Sequence, residues 1–199
     1  MINLLYEPLP DYVTISGRRY GIITDFREWF RFADMIHDGS LSDREKLSLM
    51  TLYLDEPPES VSTELVRAVF AFYAADVLDS DTDNQSDGPN DDTADAQPLC
   101  RPPVFDWKYD AKFLLADFRR FYGINLLDAA LDMHWWEFRS LFAALPDDSL
   151  CMKRISIRST DLGSIKNDAY RAKIARLQRL IALPYEMSDD EISAVFDIK

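Results

Sequence analysis

Asp25-Phe26-Arg27-Glu28-Trp29-Phe30-Arg31-Phe32-Ala33 carries both a helix-start signal and an apolar stripe. Asp25 is a residue type that closes helix N-termini, and Glu28 follows three residues later, the spacing of a capping box. Phe26, Trp29, Phe30 and Ala33 recur at helical spacing and define one apolar face. The stretch is therefore an amphipathic helix, with Gly39 as its stop.

Immediately upstream, Tyr12-Val13-Thr14-Ile15 and Arg18-Arg19-Tyr20-Gly21-Ile22-Ile23 are two β-prone runs around Ser16-Gly17, the pattern of a hairpin. An isolated hairpin is marginal, so this one must pack on helices. Downstream, Ser42 and Glu45 form a second capping box ahead of a Leu47, Met50, Leu54 stripe. Pro57-Pro58 breaks the chain, and a third helix carries Leu65, Val69, Phe72 and Tyr73 on one side.

From Asp79 to Pro98 the character changes. Asp79, Asp81, Asp83, Asp87, Asp91, Asp92 and Asp95 occur there with no Lys or Arg, interspersed with Ser86, Gly88, Pro89 and Asn90. Nothing in the tract can bury enough area to offset chain entropy, so it reads as a disordered acidic linker. The expected organisation is residues 1–78 as hairpin plus helices, 79–98 as linker, and 99–199 as a helical C-terminal part packed with the first as one unit. In that part, Asp106 is read as the cap of a helix with Trp107, Ala111, Leu114, Phe118 and Phe121 on one face, stopped by Gly123. His134 to Leu145 is a dense aromatic helix with Trp135, Phe138, Leu141 and Phe142. The run from Cys151 to Ser159 mixes helical and strand spacing and is read as helix. Asn167 or Asp168 starts a long helix with Tyr170, Ile174, Leu177 and Ile181 on one face, and Ser188 with Glu191 caps a short tail bearing Ile192, Val195 and Phe196. The fold class is thus mainly α, a helical bundle-like protein with a short N-terminal β-hairpin.

Composition narrows the function. Of 199 residues, 47% are hydrophobic and 13% aromatic, enough for a real core. The formal charge of −13, from 35 acidic and 22 basic residues, disfavours nucleic acid or an anionic membrane as main partner. Two cysteines, Cys100 and Cys151, make no disulfide framework or Cys-x-x-Cys pair. The first ten residues lack a basic region of the kind that starts a signal peptide, and no apolar run is long enough to span a bilayer, so a soluble intracellular protein is expected.

Searching for chemistry yields little. His134 and Glu137, at i and i+3, match half of a carboxylate-bridged metal site, but neighbouring helices offer aromatic and aliphatic faces in place of further carboxylates. His134 is read as a half-buried packing residue at a helix start. Cys151 has no motif to make it a nucleophile and is read as a small hydrophobe. Ser16-Gly17 is a turn and not a phosphate loop. The aspartates of the linker lack the Gly and terminal Glu of a calcium loop. No catalytic residue, cofactor or metal is assigned.

Two features point to protein binding. Trp135 and Trp136 lie about a third of a turn apart, so both are buried only if their helix is covered on two sides, the favoured reading; the alternative puts one tryptophan in the core and one at a partner surface. Lys153, Arg154, Arg158, Lys166, Arg171, Lys173, Arg176 and Arg179 crowd together, opposed by Asp161 and Asp168. Besides an ordinary solvated face, this basic surface has two sharper readings: the acidic linker folds back onto it, or an acidic or helical partner binds it with the linker as competitor. Trp135, Trp136, Phe138, Arg158, Arg171, Lys173, Arg176 and Arg179 are the candidate protein-binding residues.

Val13-Thr14-Ile15-Ser16-Gly17-Arg18-Arg19-Tyr20 leading into Thr24-Asp25-Phe26-Arg27, Phe105-Asp106 through Phe121-Tyr122-Gly123-Ile124-Asn125-Leu126, His134-Trp135-Trp136-Glu137-Phe138, Leu145-Pro146, Ile157-Arg158-Ser159 and Leu183-Pro184 together resemble a family of siphophage tail proteins catalogued by gene-product number and encoded just upstream of the tape measure protein. The long acidic linker departs from the compact members. The resemblance implies a tail assembly chaperone: a protein that coats the tape measure protein in the host cytoplasm, keeps it soluble, helps recruit major tail protein, self-associates, and is absent from the mature virion. It brings no catalytic residues. The alternatives are a tail completion or connector piece retained in the virion, and an acidic inhibitor of a host enzyme. The acidic residues sit largely in the tract and not on a folded surface, which counts against the inhibitor.

Overall fold

The computed structural model describes residues 6–58, 60–75 and 104–184. Their elements are β1 (Tyr12–Ile15), β2 (Arg18–Gly21), α1 (Phe26–His37), α2 (Asp43–Met50), α3 (Thr63–Ala74), α4 (Ala111–Asp117), α5 (Trp135–Ala143), α6 (Leu150–Ser159) and α7 (Asp168–Leu180). The chain is mainly helical with one antiparallel hairpin. The acidic tract at 79–98 and the Ser188–Glu191 tail lie outside the described residues. Two compact units emerge, each built from two separate stretches of chain: residues 1–86 with 130–144, and 87–129 with 145–199. The aromatic helix α5, which the linear order puts in the C-terminal part, therefore belongs to the N-terminal unit.

In the first unit, Val13 pairs with Tyr20 and Ile15 with Arg18 across the hairpin. Ser16 and Gly17 both take positive φ, 51° and 77°, the backbone a two-residue type I′ connection requires. Val13, Ile15 and Tyr20 are buried, and β1 packs on α3. Glu64 in the first turn of α3 holds the hairpin tip, accepting from the Ser16 amide and hydroxyl, both at 2.8 Å. A Cβ at Gly21 would lie 2.8 Å from Asp55 Oδ2, so any larger residue there obliges the exposed Asp55 side chain to move.

Asp25 caps α1 by accepting from the Arg27 amide at 2.7 Å. The buried residues of α1 are Phe26, Trp29, Phe32 and Ala33. This shifts the expected face by one shoulder. Phe32 lies under the rings of Tyr53, Phe70 and Tyr73, while Phe30 is half-buried on the opposite shoulder, edge-on to Phe26, Trp135 and Phe138. The helix stops at His37, with Asp38 extended, so Gly39 is not the residue that ends it. The Ser42–Glu45 capping box is fully formed. Of its stripe, Met50 and Leu54 are buried and Leu47 half-buried. Leu65, Val69 and Phe72 of α3 are buried, and Tyr73 half-buried.

In the second unit, Asp106 does act as a cap, accepting from the Lys108 and Tyr109 amides at 2.8 Å, but only of a short turn. The regular helix α4 begins later, at Ala111, and Trp107 packs edge-on to Phe105 instead of joining the α4 face. Asp110, whose carboxylate is wholly buried, stands at the N-cap position of α4. The helix then widens into a π turn at Phe118–Tyr122 and stops at Gly123, φ 70°, the expected glycine stop. Cys151 to Ser159 is helical, as expected, within α6, and Asn167 caps α7. Tyr170, read from spacing as part of the apolar face of α7, is exposed; Ile174 is the buried residue of that helix. Each of these two helices caps the end of the other. Gln178 of α7 donates to the Ile157 and Thr160 carbonyls at the end of α6, and Arg158 of α6 donates to the Ile181 carbonyl at the end of α7.

Candidate functional site

The residues singled out for protein binding fall into two physical groups. Trp135, Trp136 and Phe138 are core, at 0%, 5% and 0% exposure. Both indoles are buried because α5 is covered on two sides. Trp135 lies among Trp29, Tyr73 and Phe138, and Trp136 against Phe72. Each also has a polar task. Trp135 Nε1 donates to the Tyr73 carbonyl at 2.8 Å and Trp136 Nε1 to the Phe72 carbonyl at 2.9 Å. These carbonyls belong to the last turn of α3, where helix carbonyls run short of internal partners; that of Phe72 also accepts from the Ala75 amide at 3.3 Å. Adjacent tryptophans on one helix therefore cap the end of another. They are not available as surface anchors.

His134 sits at the start of α5, half-buried as expected, and is its N-cap: Nδ1 accepts from the Trp136 amide at 2.9 Å. Its Nε2 lies 3.0 Å from the Pro10 carbonyl. A carbonyl only accepts, so these partners assign the neutral ring with its proton on Nε2. Burial pushes the His134 pKa below the usual imidazole range, against smaller upward pulls from the Pro10 carbonyl, Glu137 and Asp11. Asp25, the cap of α1, pairs with His134 in an isolated antiparallel bridge, and the Trp135 amide donates to the Thr24 carbonyl at 2.7 Å. The starts of α1 and α5 are stitched together through their capping residues.

Arg158 is also structural, its side chain 5% exposed. It grips Asp110 with two nitrogens, Nη1 to Oδ2 at 2.5 Å and Nη2 to Oδ1 at 3.0 Å, and Arg154 Nε adds a third contact at 3.0 Å. Burial alone would raise the Asp110 pKa. Hydrogen bonds from Arg158 and Arg154 outweigh it and hold the carboxyl below its usual range. A second buried carboxylate, Asp117 on α4, accepts from the Leu150 and Cys151 amides at 3.0 and 2.8 Å, capping α6 from another element. Beside it, burial followed by the Asp117 charge pushes the Cys151 thiol up to about 12; a thiol so rarely ionised is a poor nucleophile at neutral pH. Neither buried aspartate was picked out from sequence. The two that matter look like any helix-borne acid, and the signal available was only an acid within otherwise apolar helix spacing.

What remains exposed is α7. Arg171, Lys173, Arg176 and Arg179 all face solvent, as do Tyr170 and Leu180, at 53% and 70% exposure. Arg171 pairs with Asp168 on the same helix. The described residues hold no group of three or more His, Cys, Asp and Glu side chains placed to bind a metal ion, and none of their helices is long and apolar enough to cross a membrane.

A family model described as bacteriophage Gp15 protein matches residues 5–183. The chain belongs to this phage protein family. The Gp15 match takes in the hairpin, all seven described helices and both the buried Asp110–Arg158 pair and the exposed face of α7, so the features above lie within the family region. Neither a curated protein nor a solved structure matches the Gp15 chain.

Proposed function

We propose that this Gp15 family protein is a non-enzymatic tail assembly chaperone that binds the tape measure protein in the host cytoplasm, with the major tail protein as a further partner, and departs before the tail matures. The observation that carries the reading is the division of charge and apolar surface. The polar and aromatic residues that could have done chemistry, His134, Cys151, Asp110, Asp117, Trp135 and Trp136, are engaged in capping and packing. Helix α7, by contrast, offers cations beside Tyr170 and Leu180, a surface suited to a helical protein partner. Sequence resemblance to the proteins encoded upstream of the tape measure gene supplies the identity of that partner.

Co-expression with the tape measure protein of the same phage tests this. The tape measure protein is expected to become soluble and to co-purify with this chain. Replacing Lys173, Arg176 and Arg179 by Glu should weaken that association by about tenfold or more at low salt, since exposed charges act mainly on encounter and salt dependence. Unchanged tape measure solubility, with no co-purification, would reject the chaperone reading. Mass spectrometry of purified virions separates it from a retained tail component, which would be present in stoichiometric amount.

A further inference from the structure

We propose that the basic face of α7 is the docking surface for the chain's own acidic stretch Asp87-Gly88-Pro89-Asn90-Asp91-Asp92-Thr93-Ala94-Asp95. That stretch lies outside the described residues. Its sequence, the surface of α7, and the point where the described chain resumes carry the proposal.

The surface comes first. Only Ile174 of α7 is buried, so most of this helix is uncovered. Lys173, Arg176 and Arg179 are exposed at three-residue intervals, a row about 9 Å long. Among the described residues none of the three has a carboxylate partner, whereas Arg171 is paired with Asp168. A local cluster of cations on a chain of formal charge −13 faces a surplus of acidic groups, and four of these, Asp87, Asp91, Asp92 and Asp95, sit in one stretch without a single Lys or Arg.

The second observation is the anchor. The described chain resumes at Val104, whose carbonyl accepts from Arg158 Nη1 at 3.0 Å. The same guanidinium donates through Nε to the Ile181 carbonyl, at the C-terminal end of α7, at 2.7 Å. The chain leading out of the acidic stretch is thus fixed one side chain away from the end of the basic helix, by an arginine that Asp110 locks in place. Nine steps of chain from Val104 back to Asp95 reach up to about 30 Å, and the thirteen residues of α7 span about 20 Å. Every cation of the row is within range. Exposed ion pairs are weak singly, but a short tether holds the stretch at an effective concentration in the millimolar range. That favours contact within one molecule over the same contact between copies. A partner that needs this face must then compete with the acidic stretch, and added salt weakens both contacts. The inference concerns two segments of one chain and stands whether or not the partner is the tape measure protein.

Hydrogen–deuterium exchange of the full-length protein tests it. With so little of α7 buried, its amides exchange by local opening, and a segment lying on its exposed face slows them. The comparison is between the natural chain and a variant carrying Asp87→Asn, Asp91→Asn, Asp92→Asn and Asp95→Asn, which alters no described residue. In about 0.05 M salt, residues 170–180 of the natural chain should exchange about tenfold more slowly than those of the variant, and the difference should vanish near 1 M salt, where the screening length falls to about 3 Å. Equal exchange in the two proteins at low salt overturns the proposal. So does protection that grows with protein concentration, which would assign the contact to a second copy.

Discussion

At the scale of a single residue, the neutral imidazole of His134 ties the start of α5 to the protonation state of one ring. It accepts one amide proton through Nδ1 and faces the Pro10 carbonyl with Nε2. Protonation puts a hydrogen on Nδ1, against the Trp136 amide, and removes the cap of α5. Burial already depresses the pKa of this ring from its ordinary value of 6.5, so the folded state favours the neutral form more than the unfolded chain does. The stability this contributes is fully present above about pH 6.5 and declines as pH falls from there through the lower folded-state pKa. Denaturation followed by tryptophan fluorescence reports on it, because Trp29, Trp135 and Trp136 all lie in the first unit. The urea midpoint is expected to fall between pH 7 and 5, and His134→Asn, which retains a capping oxygen, to lose that slope while changing stability at neutral pH by about 1 kcal/mol or less. A natural chain and a His134→Asn chain with parallel pH profiles would exclude the histidine as the cause. Asp110 acts in a separate window. Its depressed pKa supplies stability above the ordinary carboxylate value of 3.8 that is lost only in stronger acid.

At the scale of elements, the pairing of α5 with α3 turns two aromatic side chains into helix caps. Trp135→Phe and Trp136→Phe each keep most of the packing ring but leave the Tyr73 or Phe72 carbonyl short of its indole donor. Each is expected to cost about 1–3 kcal/mol, from the lost indole hydrogen bond plus the vacated volume, measured by equilibrium urea denaturation. Tyr73 keeps a long contact from Arg139 at 3.4 Å and Phe72 the Ala75 amide at 3.3 Å, so part of each loss is cushioned on the hydrogen-bonding side. Losses below the error of the measurement at both positions would mean that the indole contacts carry no weight. The same pair shows what sequence could and could not reveal. Several helix starts were legible because capping is local: Asp25, Ser42 and Asn167 each act within three residues of themselves, and His134, read as a packing residue at a helix start, proves to be the cap there. The Ser16-Gly17 turn was legible for the same reason. The jobs of Trp135, Trp136, Asp117 and Arg158 were not, because each serves backbone groups on another helix, and spacing along one element carries no record of what another leaves unpaired. Helical periodicity likewise placed Tyr170 on an apolar face, since a period cannot tell how much of a helix its neighbours reach. For the candidate site, the exposed cations of α7 were readable as a run of charge, whereas the burial of Arg158 within that same run depended on Asp110.

At the scale of the molecule, the order of the chain and the grouping of its packed segments part company. The first unit contains residues 1–86 and then, after more than forty intervening residues, 130–144. The returning segment is no ornament. Trp135 and Phe138 are fully buried, Phe138 stacks on Phe26 at 5.4 Å and Trp135 on Tyr73 at 5.5 Å, and Thr24 and Met133 carbonyls accept the amides that join the starts of α1 and α5. Without α5, the aromatic face of α1 and the last turn of α3 meet water, and the indole donors for Phe72 and Tyr73 are gone. Burying such aromatic area supplies several kcal/mol against a total stability of about 5–15 kcal/mol for a domain of ordinary size. A chain ending at residue 129 should therefore fail to form the first unit, although it contains the hairpin, α1, α2 and α3 complete. Its circular dichroism should retain some helix while its thermal transition broadens and loses cooperativity. Adding residues 130–144 as a separate peptide should restore a sharp transition in a concentration-dependent way. A sharp transition in the truncated chain by itself would show that α5 merely decorates a core that α1 and α3 already close. If the expected result holds, synthesis must proceed past α5 before the N-terminal aromatic surface is covered.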